Sequence, residues 1–499
     1  MAEPRSYAFA SWLFLRLLGL AYLAAFVSLA MQIRGLAGPA GILPASDVLA
    51  ASNRRRTARF SRLPTLCWIS TSDCFLLLLC CSGVVCAGLL TAAIAQLPML
   101  ILLWVFYLSL FNVCRFFLGF QWDVLLLETG FLAIFLAPKQ LGLGFFSFCS
   151  PSLIIVWLFW WLLFRLMFSS GFVKLRSGDP SWRNFTALCY HYETQPLPTP
   201  VAWYAHQLPR WFHKMSTGLV LLIEVLAPFF IFGPTPFRYV VCGTFVGLML
   251  LIELTGNYAF FNLLAVALSL LLLDDEFWKP IIRCLAPDGI GMSARSAGGV
   301  LVNPIIATVT LVSLFLSFDA MAKLFHRPLA WPKPLLAVLD FLTPFHLASS
   351  YGLFAVMTTE RPEIIVEGSE DGVNWCAYEF KWKPGAVTRA PKFVAPFQPR
   401  LDWQLWFAAL GYCENNPWFV RFLVRVLEGS KPVIHLLKQN PFFQRSPRYV
   451  RASMYSYRFT NFAERKANRA WWHAERRGTY CPIVEMSDSQ LGRVRSKSD

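Results

Sequence analysis

The chain has 499 residues, of which 56% are hydrophobic and 15% are charged, and its mean hydropathy is +0.49. Soluble domains carry about 25% charged residues, so this composition excludes an ordinary soluble protein and predicts membrane-spanning helices. The net charge of +16 is spread over loops and the C-terminal region, without zinc-finger spacing or an RNA-recognition signature. We therefore expect lipid headgroups and no nucleic acid as its partner.

Long apolar runs follow one another through the first two thirds of the chain. A helix needs about 20 mostly apolar residues to cross a bilayer. Runs of nearly this length or more lie near residues 9–31, 75–95, 98–118, 151–168, 216–232, 239–254, 257–273 and 303–318. Two further segments, 123–137 and 335–357, are short or interrupted. The sequence therefore predicts a polytopic α-helical membrane domain of eight to ten spans over residues 1–350.

Several ionisable residues lie inside these apolar runs, where they are costly and indicate either function or ion pairing. They are Arg16, Asp123, Glu128, Arg165, Glu224, Glu253 and Asp319. Pairing between them is the interpretation we favour for most. Arg16, Glu128 and Arg165 are expected to form one buried charge cluster, because each lies well within an apolar run.

The loop near 169–215 carries two candidate sites. Asn184 begins a glycosylation sequon, and a glycan is added only on an accessible lumenal loop. Lys174 follows a long apolar run, and a partly desolvated lysine can act as a base, although a lysine at this point also simply marks a helix end. An even number of spans would place this loop and the C-terminal residues on one side. The basic loop 32–74 favours the opposite orientation, since positive loops usually stay cytosolic.

The motifs of several enzyme classes are missing from the sequence. It contains no GxSxG elbow, HExxH pair, EF-hand loop, Walker A motif or CxxC pair. These patterns supply nucleophiles, metal ligands or phosphate-binding loops. The sequence therefore predicts no metal site, no cofactor and no catalytic residue, apart from the speculative base Lys174.

Residues 351–499 have a different pattern and predict a membrane-proximal soluble domain of mixed α/β, β-rich structure. Apolar and polar residues alternate over 363–382 around an Asp-Gly pair, which predicts a β-hairpin. Helical periodicity follows at 401–410, and 417–428 is typical of an amphipathic helix. Alternating aromatics at 448–460 predict another strand.

Several long stretches of the chain resemble the lipase maturation factor family. They are FQWDVLLLETGFLAIFLAP (120–138), DPSWRNFTALCYHYETQPLPTPVAWYAHQLP (179–209), LTGNYAFFNLLAVALSLLLLDD (254–275), RPEIIVEGSEDGVNWCAYEFKWKPG (361–385), QPRLDWQLWFAALG (398–411), NPWFVRFLVRVLEGS (416–430) and NPFFQRSPRYVRASMYSYRFT (440–460). The resemblance implies a multi-pass glycoprotein of the endoplasmic reticulum membrane. Its expected role is that of a chaperone-like factor, not an enzyme, needed for newly made lipases to fold, assemble and be secreted.

The same resemblance implies that the C-terminal domain, expected on the lumenal side, engages the client lipase. Aromatic side chains dominate binding hot spots, so Trp375, Trp382, Trp403 and Trp406 are candidate client anchors. The alternative is that these tryptophans form the domain's own core, which we expect for at least half of them.

Two other functions stay open at this point. The stretch Gly171–Leu175, followed by Trp182, is similar to the region around the catalytic lysine of the vitamin K-dependent carboxylase group, a distant relative of the family. This similarity implies a membrane-embedded enzyme with Lys174 as its base. A transporter is the third possibility, because intramembrane charges are compatible with one, although no inverted repeat is visible.

Overall fold

The computed structural model of the chain describes residues 6–53, 59–138, 148–285, 303–327 and 329–485. Its first part is helical. In chain order the helices are α1 (Ala8–Ala30), α2 (Ile33–Ala37), α3 (Ala45–Asn53), α4 (Arg59–Arg62), α5 (Asp73–Thr91), α6 (Gln96–Val113), α7 (Arg115–Leu118), α8 (Gln121–Leu136), α9 (Leu153–Arg176), α10 (Pro180–Arg183), α11 (Leu188–Thr194), α12 (Pro200–His206), α13 (Arg210–Val225), α14 (Thr235–Thr255), α15 (Phe261–Leu270), α16 (Asp275–Leu285), α17 (Pro304–Leu324) and α18 (Lys333–Leu342).

Seven of the described helices are long and apolar enough to cross a membrane. They are α1, α5, α6, α9, α14, α17 and α13 together with the 3₁₀ turns that extend it to Phe232. Helices suit a bilayer because they satisfy every backbone polar group internally. The run predicted near 257–273 forms the ten-residue α15, and the short segment 123–137 forms α8, most of which is buried. The predicted polytopic α-helical fold is confirmed.

Helix α1 lies at the centre of the bundle, in contact with α5, α8 and α15. Phe14, Tyr22 and Phe26 of α1 are completely buried. Gly83 of α5 permits this packing, because an added Cβ would lie 2.4 Å from the Phe26 ring. The two helices therefore approach more closely than they would with any side chain at that position.

The last part of the chain adds strands to helices. In chain order these are β1 (Arg361–Ser369), β2 (Cys376–Ala377), β3 (Glu379–Phe380), α19 (Arg400–Ala409), α20 (Pro417–Leu427), α21 (Lys431–Ile434), β4 (Leu437–Gln439), β5 (Tyr449–Phe459), α22 (Phe462–Asn468) and β6 (Trp472–Glu485). One antiparallel sheet has the order β2-β1-β5-β6, and β3 pairs with β4. The β-rich C-terminal region is confirmed.

The predicted hairpin is present as β1 and β2, which pair antiparallel. The turn between them is longer than two residues, and within it the Asp371 carboxylate accepts hydrogen bonds from the backbone N–H groups of Val373 (2.8 Å) and Asn374 (2.7 Å). These bonds hold the pKa of the Asp371 carboxyl below its ordinary value. Gly372 supplies the positive φ of +78° that the turn requires.

Contacts with the C-terminal part place two loops of the first part on one side of the bundle. Phe459 N–H donates to the Glu193 carboxylate at 2.9 Å, which ties the loop after α9 to β5. Arg421 of α20 pairs with Asp47 at 2.9 Å, and Arg425 donates to the Gly41 carbonyl at the same distance. The sequon-bearing loop and the loop after α1 therefore both contact the C-terminal region, the first at β5 and the second at α20.

Candidate functional site

A cavity of about 690 Å³ lies between α9, α13 and α14. Most of the side chains around it are aliphatic or aromatic. Leu219 of α13 and Leu251 and Leu254 of α14 line it and are nevertheless 52%, 62% and 50% exposed. Because α13 and α14 are membrane-spanning by length and composition, the cavity opens on a side that faces lipid.

The polar wall of this cavity begins at Lys174, in the last turn of α9. Lys174 is buried and donates to both carboxylate oxygens of Glu224 on α13, at 2.6 and 2.5 Å. Its ammonium also lies 5.0 Å from the centre of the Trp182 ring. Gly171 permits the pairing, since a Cβ there would lie 2.8 Å from the Glu224 Cβ. The sequence indicated each ionisable residue but not this pair.

His191 and Tyr258 continue the polar wall. The Tyr258 hydroxyl donates to the Gln195 side-chain oxygen at 2.8 Å and lies 3.1 Å from His191 Nε2. Because its one proton goes to Gln195, Nε2 of the imidazole must be the donor to Tyr258, which leaves a lone pair on Nδ1. Burial, with a smaller contribution from Lys174, lowers the pKa of His191 to about 4. The imidazole is therefore neutral near pH 7.

The predicted charge cluster is present in part. Arg165 of α9 pairs with Glu128 of α8, and both side chains are almost fully buried. The second Glu128 oxygen accepts from the Tyr351 hydroxyl at 2.6 Å and from Ser349 N–H at 3.0 Å. These hydrogen bonds satisfy the Glu128 carboxylate and make the buried ion pair tolerable, although Arg165 Nε has no hydrogen-bond partner among the described residues. This pair ties α8 and α9 to the segment before β1.

Arg16 does not join that cluster, so its inclusion was wrong. It points from α1 toward α6, donates to the Gln96 side chain at 2.5 Å and lies 5.6 Å from the centre of the Trp12 ring. A side-chain amide thus replaces the expected carboxylate. The error arose because the position of a residue within an apolar run does not determine which side chain of another helix it contacts.

The four candidate anchor tryptophans divide into two groups. Trp403 and Trp406 are 3% and 7% exposed. The Trp403 ring packs edge-on against Trp122 of α8, with 4.7 Å between ring centres. These two side chains belong to the core and offer no surface to a partner. Trp375 and Trp382 are partly exposed and stay candidates.

Exposed apolar side chains gather at one end of the four-stranded sheet. Ser369 pairs with Tyr449, so the turn after β1 and the loop before β5 lie at the same sheet end. Val373 in that turn is 77% exposed, and Phe443 in that loop is 82% exposed. Together with Trp375, these two residues define the sheet-end surface. Sequence reasoning missed Phe443. The signal that could have identified it is a large aromatic residue within a polar loop.

Asn184 lies at the end of the short helix α10 and is exposed. Its neighbour Phe185 is also exposed, at 47%. The side chain of Thr186, the third residue of the sequon, is partly buried. The asparagine side chain is therefore accessible to a modifying enzyme.

A buried ion pair links the C-terminal region to the membrane helices. Arg400, at the start of α19, donates to both carboxylate oxygens of Asp123 at 2.9 and 3.0 Å, and neither side chain is exposed. Arg400 also donates to the Phe117 carbonyl at 2.8 Å. The sequence indicated Asp123 as an ionisable residue in an apolar run, but its partner lies 277 positions further on.

The described residues contain no group of three or more His, Cys, Asp or Glu side chains placed to hold a metal ion. Cys413 and Cys481 do lie side by side, joined by a thiol hydrogen bond that lowers the pKa of Cys413. Both lie in the C-terminal region, outside the apolar runs.

Comparison with known proteins gives the family. Residues 9–280 match the model of the lipase maturation factor transmembrane domain, and residues 347–482 match that of the lipase maturation factor C-terminal domain. The chain is 37% identical to chicken (Gallus gallus) lipase maturation factor 2, with 96% of this chain and 82% of the relative aligned. It is 35% identical to human lipase maturation factor 2 (96% and 83% aligned) and 32% identical to human lipase maturation factor 1 (95% and 87%). No solved structure matches the chain. With both domain models matched in order, this multi-pass membrane protein belongs to the lipase maturation factor family.

Proposed function

We propose that this chain is a folding factor of the endoplasmic reticulum membrane that helps newly made secreted lipases reach their active, assembled form. The family match along both parts of the chain carries the proposal, since relatives aligned over 95–96% of it are named lipase maturation factors. In this proposal residues 1–350 anchor the protein in the bilayer, and residues 351–499 form the client-binding domain.

The sheet-end surface is the client site that we propose within this domain. Exposed apolar side chains gain most from leaving water when a partly folded partner covers them. The Trp375 ring is fixed beside Arg451, whose guanidinium carbon lies 4.0 Å from the ring centre. Phe443 of the same surface also lines a cleft of about 400 Å³, together with Tyr378 and Phe442. Aromatic side chains at a cleft are the arrangement that binding hot spots favour.

A lumenal orientation of this domain follows from the proposal. The loop that carries Asn184 contacts β5 through Glu193, so a glycan on Asn184 would place both the loop and the sheet in the lumen. We expect Asn184→Gln to remove an N-glycan, seen as faster migration that glycosidase treatment no longer changes. Thr186→Ser keeps the sequon and serves as the control. Identical migration of the unsubstituted protein before and after glycosidase would contradict the lumenal assignment.

The first experiment is rescue of lipase secretion. The chain is expressed in cells that lack their own maturation factor and make a dimeric secreted lipase. We expect the activity per unit of secreted lipase protein to rise. Val373→Ser with Phe443→Ser should reduce the rescue, whereas Tyr412→Ser, which is 75% exposed between α19 and α20, should preserve it. No rise with a correctly located, folded protein would refute the proposal for that lipase.

An enzyme is the second candidate, and the burial of Lys174 in a cavity beside His191 favours it. If Lys174 is a catalytic base, Lys174→Met abolishes the rescue. A chaperone-like factor tolerates the substitution together with Glu224→Gln, which removes both charges and leaves neither unpaired. Rescue by the double variant would therefore exclude the catalytic role and support the non-enzymatic proposal.

A further inference from the structure

The cavity between α9, α13 and α14 has an elongated apolar part. Its lining follows α14 from Gly243 to Thr255, which are twelve residues apart and therefore span about 18 Å of helix. Leu166 and Met167, two turns before Lys174 on α9, line the same part. The volume of 690 Å³ falls within the range of ligand sites. Its length favours a flexible chain over a compact ligand.

The volume also limits how many chains fit. A water molecule occupies about 30 Å³ of liquid, and a methylene group is of similar size. At roughly 30 Å³ for each heavy atom, the cavity holds about 23 heavy atoms. This is sufficient for one acyl chain with a small headgroup. A phospholipid would have to leave its second acyl chain outside the cavity, among the bilayer lipids.

The polar wall determines the headgroup. Lys174 and Glu224 neutralise each other, and His191 is neutral, so this wall carries no net charge. Glu224 oxygens retain spare lone pairs, and His191 Nδ1 has one as well, whereas the Lys174 ammonium uses two of its three N–H donors on Glu224 and has only one left. A headgroup that donates hydrogen bonds complements this set. A carboxylate only accepts and would add an unbalanced negative charge.

We propose that this cavity is a binding site for a single-chain lipid with an uncharged, hydroxyl-bearing headgroup, such as a monoacylglycerol. The acyl chain lies along α14 toward Gly243, and the hydroxyls face Glu224 and His191. The lipid enters from the bilayer past the exposed leucines of α13 and α14. This site is separate from the client surface, and the inference does not depend on the proposed function.

Two glycines of α14 make the proposal testable. Gly243 and Gly247 line the cavity, and an added Cβ at either position meets no atom within 4 Å. Gly247→Leu therefore fills cavity space without a clash at Cβ. Gly88 of α5 is the matched control, because an added Cβ there also meets nothing within 4 Å and Gly88 does not line the cavity.

The full-length protein is placed in nanodiscs containing a monoacylglycerol with a photoreactive acyl chain. We expect crosslinks on peptides of α9, α13 and α14 that excess unlabelled monopalmitoylglycerol removes. Gly247→Leu should lower the labelling about tenfold, because its side chain fills the space of roughly four carbons of the acyl chain while the bilayer stays available to that chain. Gly88→Leu should label like the unsubstituted protein. Crosslinks outside these helices, or labelling unchanged in folded Gly247→Leu and Gly243→Leu proteins, would overturn the site.

Competition between headgroups tests the polar wall. Monopalmitoylglycerol should displace the probe at lower concentration than palmitate or palmitoyl lysophosphatidylcholine, which share its chain length. Lys174→Met with Glu224→Gln should reduce this preference while crosslinking persists. Stronger displacement by palmitate would overturn the headgroup assignment. None of these measurements involves a lipase, so their failure is distinct from failure of the folding-factor proposal.

Discussion

Replacing Arg400 by methionine should strongly destabilise the protein. Methionine keeps an apolar stem like that of arginine but removes the charged guanidinium group. The Asp123 carboxylate then loses both of its Arg400 hydrogen bonds while staying fully buried, with the Tyr107 hydroxyl as a remaining donor. The Phe117 carbonyl loses its 2.8 Å partner as well. The substitution therefore leaves a charged acceptor without a cation in the core.

The size of the effect follows from burial. Removing one partner of a buried ion pair costs about 3–5 kcal/mol, because the remaining charge is neither solvated nor compensated. The pair between Arg421 and Asp47 offers a matched comparison, since it also joins the C-terminal region to the first part at 2.9 Å. Its side chains are 53% and 54% exposed, so Arg421→Met should cost at most about 1 kcal/mol.

The assay is denaturant unfolding of the detergent-purified protein, followed by tryptophan fluorescence. We expect Arg400→Met to lower the free energy of unfolding by about 3–5 kcal/mol. Arg400→Met combined with Asp123→Leu should recover much of that loss, because no charge then remains buried. Equal effects of Arg400→Met and Arg421→Met, or no recovery in the double variant, would refute the burial argument.

Three further predictions concern other parts of the structure. The free energy of unfolding should fall as the pH drops from about 6.5 to 4, because the unfolded chain binds a proton at His191 in this range and the folded protein does not. In the same unfolding assay, His191→Gln should flatten that part of the pH profile. In an oxidising lumen Cys413 and Cys481 should form a disulfide that stabilises the domain by about 4 kcal/mol. Non-reducing peptide mass spectrometry would detect this disulfide, and fully reduced thiols in protein isolated without reductant would contradict the prediction. Gly171→Val should lower the melting temperature of the purified protein, since the added Cβ would lie 2.7 Å from Val225 before the rest of the side chain is placed. An unchanged melting temperature would show that α9 and α13 separate without cost.

The client-anchor prediction illustrates the limit of composition arguments. Trp375 and Trp403 are both tryptophans in a predicted soluble domain, and hydropathy does not distinguish them. The tertiary structure places Trp403 against Trp122, in the interface with α8, and leaves Trp375 at the end of the sheet. Burial depends on which distant segment covers a side chain, and that information is absent from a local pattern.

The sequence by itself determined the membrane helices, the hairpin, the helices at 401–410 and 417–428, and the strand near 448–460. These are local properties, since a bilayer demands long apolar helices and a 3.6-residue or two-residue period identifies a buried face. Only the tertiary structure decided that Lys174 meets Glu224, that Asp123 meets Arg400, and that Arg16 meets Gln96 instead of a carboxylate. Ion pairs in a low-dielectric interior are satisfied by whichever group the packing of helices brings within about 3 Å, and that packing couples residues far apart in the chain.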